Sequence, residues 1–137
     1  MAGRPTGRDA RAWPGELDAV PLAVERTMFW DSTYYGGHTG NAVDAPQTQW
    51  LFGEGNQGFF DTYVLLANAN ATPTTATVTF LVEGGPNVSE VVTVPATTRL
   101  NAYAGAIPAL IGKSFSIKVT ATAPIIAERA MYFGSRL

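Results

Sequence analysis

Two stretches of this chain alternate apolar and polar residues with a period of two, and that alternation limits the fold more than any other feature. In Ser114–Thr122, Phe115, Ile117 and Val119 fall on one side and Ser116, Lys118 and Thr120 on the other. In Thr75–Val82, Val78, Phe80 and Val82 oppose Thr77, Thr79 and Leu81. Successive side chains of a strand point to opposite faces, so each stretch predicts a strand with one dry face. Further strands are predicted at Leu22–Trp30, Thr48–Phe52, Phe60–Asn68, Val88–Val94, Thr97–Tyr103 and Ile125–Phe133. Phe60–Asn68 is the most apolar through Val64, Leu65 and Leu66 and reads as central. Pro21 leads one strand and Pro95 ends another, both positions where a missing N–H is tolerated. Ser32–Ala45, with Gly36, Gly37 and Gly40, reads as a loop, and Gly53–Gly58 and Asn68–Thr74 as turns. Glu83-Gly84-Gly85-Pro86-Asn87 is a hairpin signal, and Gly105–Gly112 fits one helical turn that plugs an end of the core. No amphipathic helix of useful length appears. The expected fold is an all-β, antiparallel, immunoglobulin-like β-sandwich of about seven or eight strands, with a closed barrel as the alternative. Without a Cys…Trp…Cys pattern it is not an antibody-type domain.

At 137 residues the chain is one domain by size and long enough to bury a core. Residues 1–19, rich in Gly, Pro, Arg and Ala, read as a flexible arm, and residues 20–137 as the sandwich. Within the arm only Trp13 looks able to dock on something. Arg4, Arg8 and Arg11 precede no apolar core, so the arm does not read as a signal peptide. Charged residues are only 15% and the net charge is −2. That balance gives no electrostatic footprint for nucleic acid. No apolar run is long enough to span a bilayer, so membrane insertion is not expected. The absence of cysteine excludes disulfides, thiolate metal sites and a Cys nucleophile.

The chain also repeats itself. Pro21-Leu22-Ala23-Val24-Glu25-Arg26-Thr27-Met28-Phe29-Trp30 is matched in register by Pro124-Ile125-Ile126-Ala127-Glu128-Arg129-Ala130-Met131-Tyr132-Phe133. Pro, Glu, Arg and Met coincide. One repeat at about the length of a small β domain is what a tandem array leaves when cut to one period plus a junction. The candidate assembly residues are therefore Leu22, Val24, Glu25, Arg26, Met28 and Trp30 in the first copy. Their counterparts in the second are Ile125, Glu128, Arg129, Met131 and Phe133. Glu and Arg are neighbours on a strand, so they point to opposite faces, and one of each pair needs a partner inside or at an edge. Met28 and Met131, beside aromatics, are expected to pack in cores.

Other chemistry is thinly marked. His38 is the single histidine, and a metal site there would need Asp31, Asp44 or Asp61 to fold back. No Gly-x-Ser-x-Gly elbow accompanies it. Carboxylate pairs for hydrolysis would have to come from Asp44, Glu54, Asp61, Glu83 and Glu90, and none has a diagnostic neighbourhood. No metal, cofactor or catalytic residue is expected, and the chain is not expected to be an enzyme. Trp30, Tyr34, Tyr35 and Trp50 flank the glycine-rich loop, with Phe52, Phe59 and Phe60 following. They form a candidate platform for stacking sugar rings or, more simply, they fill the sandwich ends. The sequons at Asn70 and Asn87 lie in predicted turns and mark surface exposure only.

In word order the chain resembles a tandem β-sandwich repeat of large bacterial surface and secreted proteins. The matching words are Val24–Trp30, Gly36-Gly37-His38-Thr39-Gly40, Trp50-Leu51-Phe52-Gly53-Glu54-Gly55, Phe60–Asn68, Val94-Pro95 and Ala127–Phe133. Asn68-Ala69-Asn70 departs from the Asn-Pro more usual in such repeats. The resemblance implies an extracellular or cell-surface spacer, stalk or scaffold, with no catalytic residues to carry over. The expected partners are further copies of the chain or neighbouring domains of its type, joined head to tail through the duplicated strand. The alternative is a carbohydrate-binding module that meets surface glycans.

Overall fold

The structure, a computed structural model, describes residues 25–29 and 37–133. Leu22, Val24, Trp30, Tyr34 and Tyr35 lie outside the described residues, as does the arm 1–19. The chain divides into two compact units, Met1–Ala42 and Val43–Leu137.

In the first unit β1 (Glu25–Phe29) pairs antiparallel with β2 (Gly37–Asn41), Glu25 opposite Asn41 and Phe29 opposite Gly37. The Thr27 and Thr39 hydroxyls meet across the pair at 3.2 Å. The expected loop is thus partly a strand. Two glycines in five residues erase any period-two pattern, and only pairing with β1 reveals it. Glu25–Met28 are all exposed, Met28 at 41%, so Met28 is not the core residue that its apolar character implied.

In the second unit six strands follow: β3 (Gln47–Gln57), β4 (Asp61–Asn68), β5 (Thr74–Val82), β6 (Val88–Val94), β7 (Thr98–Tyr103) and β8 (Lys113–Tyr132). They form one antiparallel sheet in the order β6-β5-β8-β4-β7, with β3 also paired to β8. The architecture is all-β, and its helical content among the described residues is two 3-10 turns, Ala104–Ala106 and Pro108–Leu110. Those turns fill the place expected of a helical plug and bury Ala104 and Leu110.

β8 organises the unit. Residues 113–121 lie between β3 and β5, and residues 126–132 pair with β4. Two strands broken near Pro124 were the expectation, and the structure joins them into one of 20 residues. Pro124 is tolerated because it sits at the corner between the two pairings, where no ladder bond needs its N–H. Its carbonyl accepts the Asn70 side-chain amide at 2.9 Å. Both ends of β8 return to the same short β3–β4 turn: Gln57 faces Lys113 and Asp61 faces Tyr132. The sheet must therefore curl, and the curl encloses the core. Val64 and Leu66 from β4, Val78 and Phe80 from β5, and Ile117 and Val119 from β8 are all fully buried. The alternation read in β5 and β8 points them there.

The buried polar residues Gln57, Thr62, Asn68 and Thr74 cluster at the ends of β3, β4 and β5. Among the described residues no buried side-chain nitrogen or oxygen lacks a partner. Asn68 binds the carbonyls of Thr72, Val94 and Pro95 and accepts from Asn70, knitting three loops together.

Candidate functional site

The site grows from an irregularity in β3. Phe52 faces Ile117 while Gly55 faces Phe115, so β3 carries one residue more than β8 across this step. Such a bulge bends a strand and re-aims its side chains. The chain meets this demand with Phe52-Gly53-Glu54-Gly55, whose glycines read as a turn in the sequence but lie in the strand. Gly55 has to be glycine: a Cβ there would stand 2.5 Å from the Phe115 ring. Gly53 does not; its Cβ would meet nothing within 4 Å. Gly53→Ala should therefore leave stability within about 0.5 kcal/mol of the parent by urea unfolding.

Two contacts hold the bulge. Arg129 Nη1 donates to the Glu54 carbonyl at 2.6 Å and lies 3.7 Å from its carboxylate. Ser116 Oγ donates to the Gly53 carbonyl at 2.9 Å. Next along the chain, the Asn56 side-chain oxygen accepts the Phe60 N–H, at 3.4 Å. The turn that follows presents Phe59, 75% exposed, against Phe133, 64% exposed. Their rings stack with centroids 6.1 Å apart, and Phe60 meets both edge-on. Beside this aromatic wall opens a groove of about 580 Å³ with Gly53, Glu54, Asn56, Glu83, Ser114 and Ser116 along it. Asn56 Nδ2 donates to Ser114 Oγ at 3.2 Å. The groove thus offers hydroxyl, amide and carboxylate groups beside two exposed ring faces, an arrangement suited to binding. Among the described residues no three His, Asp or Glu side chains gather as they would for a metal.

The sequence candidates scatter. Glu25, Arg26 and Met28 lie on exposed β1, whereas the second copy is inside the sheet. There Ile125 is fully buried, and Glu128, Arg129 and Met131 are half-buried. Val64 faces Arg129 and Leu65 faces Glu128, so the charged pair does split between the two faces. Of the four aromatics proposed for a sugar platform, Trp50 alone is described. It packs against the core, and its indole N–H donates to the Ile125 carbonyl at 3.0 Å. Trp50→Phe should cost about 1 kcal/mol by urea unfolding through loss of that bond. Among the described residues the exposed aromatic surface is formed by Phe59 and Phe133. Their signal was the apolar Phe59-Phe60 pair in a glycine-flanked turn; nothing local ties Phe133 to it. Asp61, one of the candidate carboxylates, accepts hydrogen bonds from Gln57 and Tyr103.

Several solved structures share the fold, among them two of low sequence identity. One is the Anabaena sensory rhodopsin transducer, 18% identical, covering 65% of this chain and 100% of that one, with a TM-score of 0.55. The other, from Thermotoga maritima and titled Thermotoga maritima 1070, is 16% identical, covers 66% of this chain and 94% of that one, and has a TM-score of 0.56. At such identities the likeness is one of fold, and it defines an all-β class. No protein-family description matches the chain, and no curated protein does.

Proposed function

We propose that this chain is a non-enzymatic structural domain of the cell surface or extracellular space that joins copies of itself, or neighbouring domains of its type, through the duplicated strand. On this reading the curled sheet is a two-layered, immunoglobulin-like sandwich. One observation carries the proposal: the second copy of the motif is built into the six-stranded sheet, while the first forms a separate two-stranded sheet. The larger sheet is thus supplied with its own copy. β3, β6 and β7 are its edges, each paired with one strand among the described residues. Such edges accept an added strand through main-chain hydrogen bonds. A first copy donated to a neighbour's edge is a head-to-tail contact, which does not close and so extends into a filament. Light scattering of the purified chain over a wide concentration range tests this. Mass should rise with concentration, and a constant monomer mass would refute it.

A second reading is a carbohydrate-binding module, favoured by the exposed Phe59–Phe133 pair beside a polar groove.

A further inference from the structure

We infer that the groove beside the β3 bulge is a carbohydrate site that takes a neutral pyranose unit of a glycan against Phe59. The inference rests on the second reading above and fixes where and how a glycan would sit. The groove's size falls within the range of small-molecule sites, roughly 300–1,000 Å³. Two large aromatic side chains left exposed side by side form the kind of apolar surface that marks an interaction site. Phe59 stacks on Phe133 and meets Phe60 edge-on, yet most of its surface stays exposed to a ligand.

The other groups narrow the chemistry. Among the described residues the groove is lined by Glu54 and Glu83 and by no lysine or arginine, which disfavours phosphates, nucleotides and acidic sugars. Arg129 stands nearby, but its guanidinium is engaged by the Glu54 carbonyl and carboxylate. A wholly apolar ligand would cover Asn56, Ser114 and Ser116 and offer their remaining hydrogen-bonding capacity no partner, at a cost for each polar group stripped of solvent. A pyranose answers both halves of the site. Its C–H face lies on a phenyl ring, and its hydroxyls donate to carboxylates and exchange bonds with serine and asparagine. A cationic ligand would answer the carboxylates and rings too, but through charge, so its binding would weaken in salt. Gly53 lines the groove, and a Cβ added there would meet no protein atom within 4 Å, so the space beside it is open.

The test uses the full chain and two-dimensional amide NMR. Neutral oligosaccharides (cellohexaose, chitohexaose, maltohexaose and mannohexaose) are added to millimolar concentration, with hexa-arginine as the cationic comparison. At least one oligosaccharide should shift the amides of Glu54, Ser114 and Ser116, and the shifts should survive raised salt because the ligand is uncharged. Phe59→Ala should weaken binding about tenfold, the upper range for an aromatic contact. Gly53→Leu should abolish it while the rest of the spectrum is preserved, because it adds bulk at a groove-lining position where a Cβ meets no protein atom within 4 Å. Shifts confined to residues outside the groove would overturn this site and leave the carbohydrate reading standing. Shifts produced by hexa-arginine alone, and lost in salt, would overturn the ligand class. No response to any oligosaccharide would overturn both the site and the reading.

Discussion

Replacing Asn68 by Ala is expected to destabilise the second unit by about 4 kcal/mol, a large fraction of what holds an ordinary domain folded. Asn68 is 2% exposed at the end of β4. Its amide nitrogen lies 2.9 Å from the Thr72 carbonyl and 3.1 Å from those of Val94 and Pro95. Its oxygen accepts from the Asn70 backbone at 3.0 Å and side chain at 2.7 Å. Through Asn70 the network reaches Pro124, where β8 turns its corner. Alanine would strand the buried Val94 carbonyl and the part-buried Thr72 and Pro95 carbonyls at once, and each unsatisfied group costs about 1–3 kcal/mol. Asn68→Asp should be at least as damaging, since a carboxylate would face carbonyl oxygens. In urea the unfolding midpoint should fall with little change in slope. A loss below about 1 kcal/mol, the scale of an ordinary surface change, would show that the loops do not depend on this residue.

Gly105→Ala is expected to cost about 3 kcal/mol through overpacking and a broken network. The added methyl would collide with the Tyr103 ring and hydroxyl and stand 2.7 Å from the Gln57 amide nitrogen. Tyr103 donates to Asp61, and Gln57 donates to Asp61 at 2.9 Å and accepts the Thr62 N–H at 3.0 Å. Tyr103 also stacks on Tyr63 with centroids 4.6 Å apart. Displacing one ring therefore disturbs the whole β4–β7 end of the sheet. Near-ultraviolet circular dichroism should change along with stability. The contrast with Gly53→Ala, where nothing stands near the new methyl, separates a steric requirement from a general intolerance of glycine replacement.

Legibility from the sequence followed the alternation of side chains. β4, β5, β6 and β7 lie within a residue of their expected limits because each has a clear apolar period or a proline stop. β2 and the second half of β3 escaped because glycine, a turn signal in isolation, there serves a narrow pairing and a bulge. Pro124 misled for a related reason: it looked like a strand end but occupies the one stretch of β8 without ladder partners. The groove was harder still. Phe59 and Phe133 are far apart in sequence and meet only because the sheet curls, so no local pattern could join them. Trp50 drew attention as a large aromatic near glycines, yet its one polar atom is bound to Ile125 and its ring faces the core.

The duplication of the Glu-Arg strand underlies the proposed assembly, and the most direct test compares the full-length chain with a deletion of residues 1–30. Light scattering and negative-stain imaging would be made on the same samples. The account predicts large oligomers or filaments from the full chain that vanish on deletion, because the six-stranded sheet keeps its own copy of the strand in β8. The same oligomeric state for the two proteins, whether both monomeric or both assembled, would contradict it.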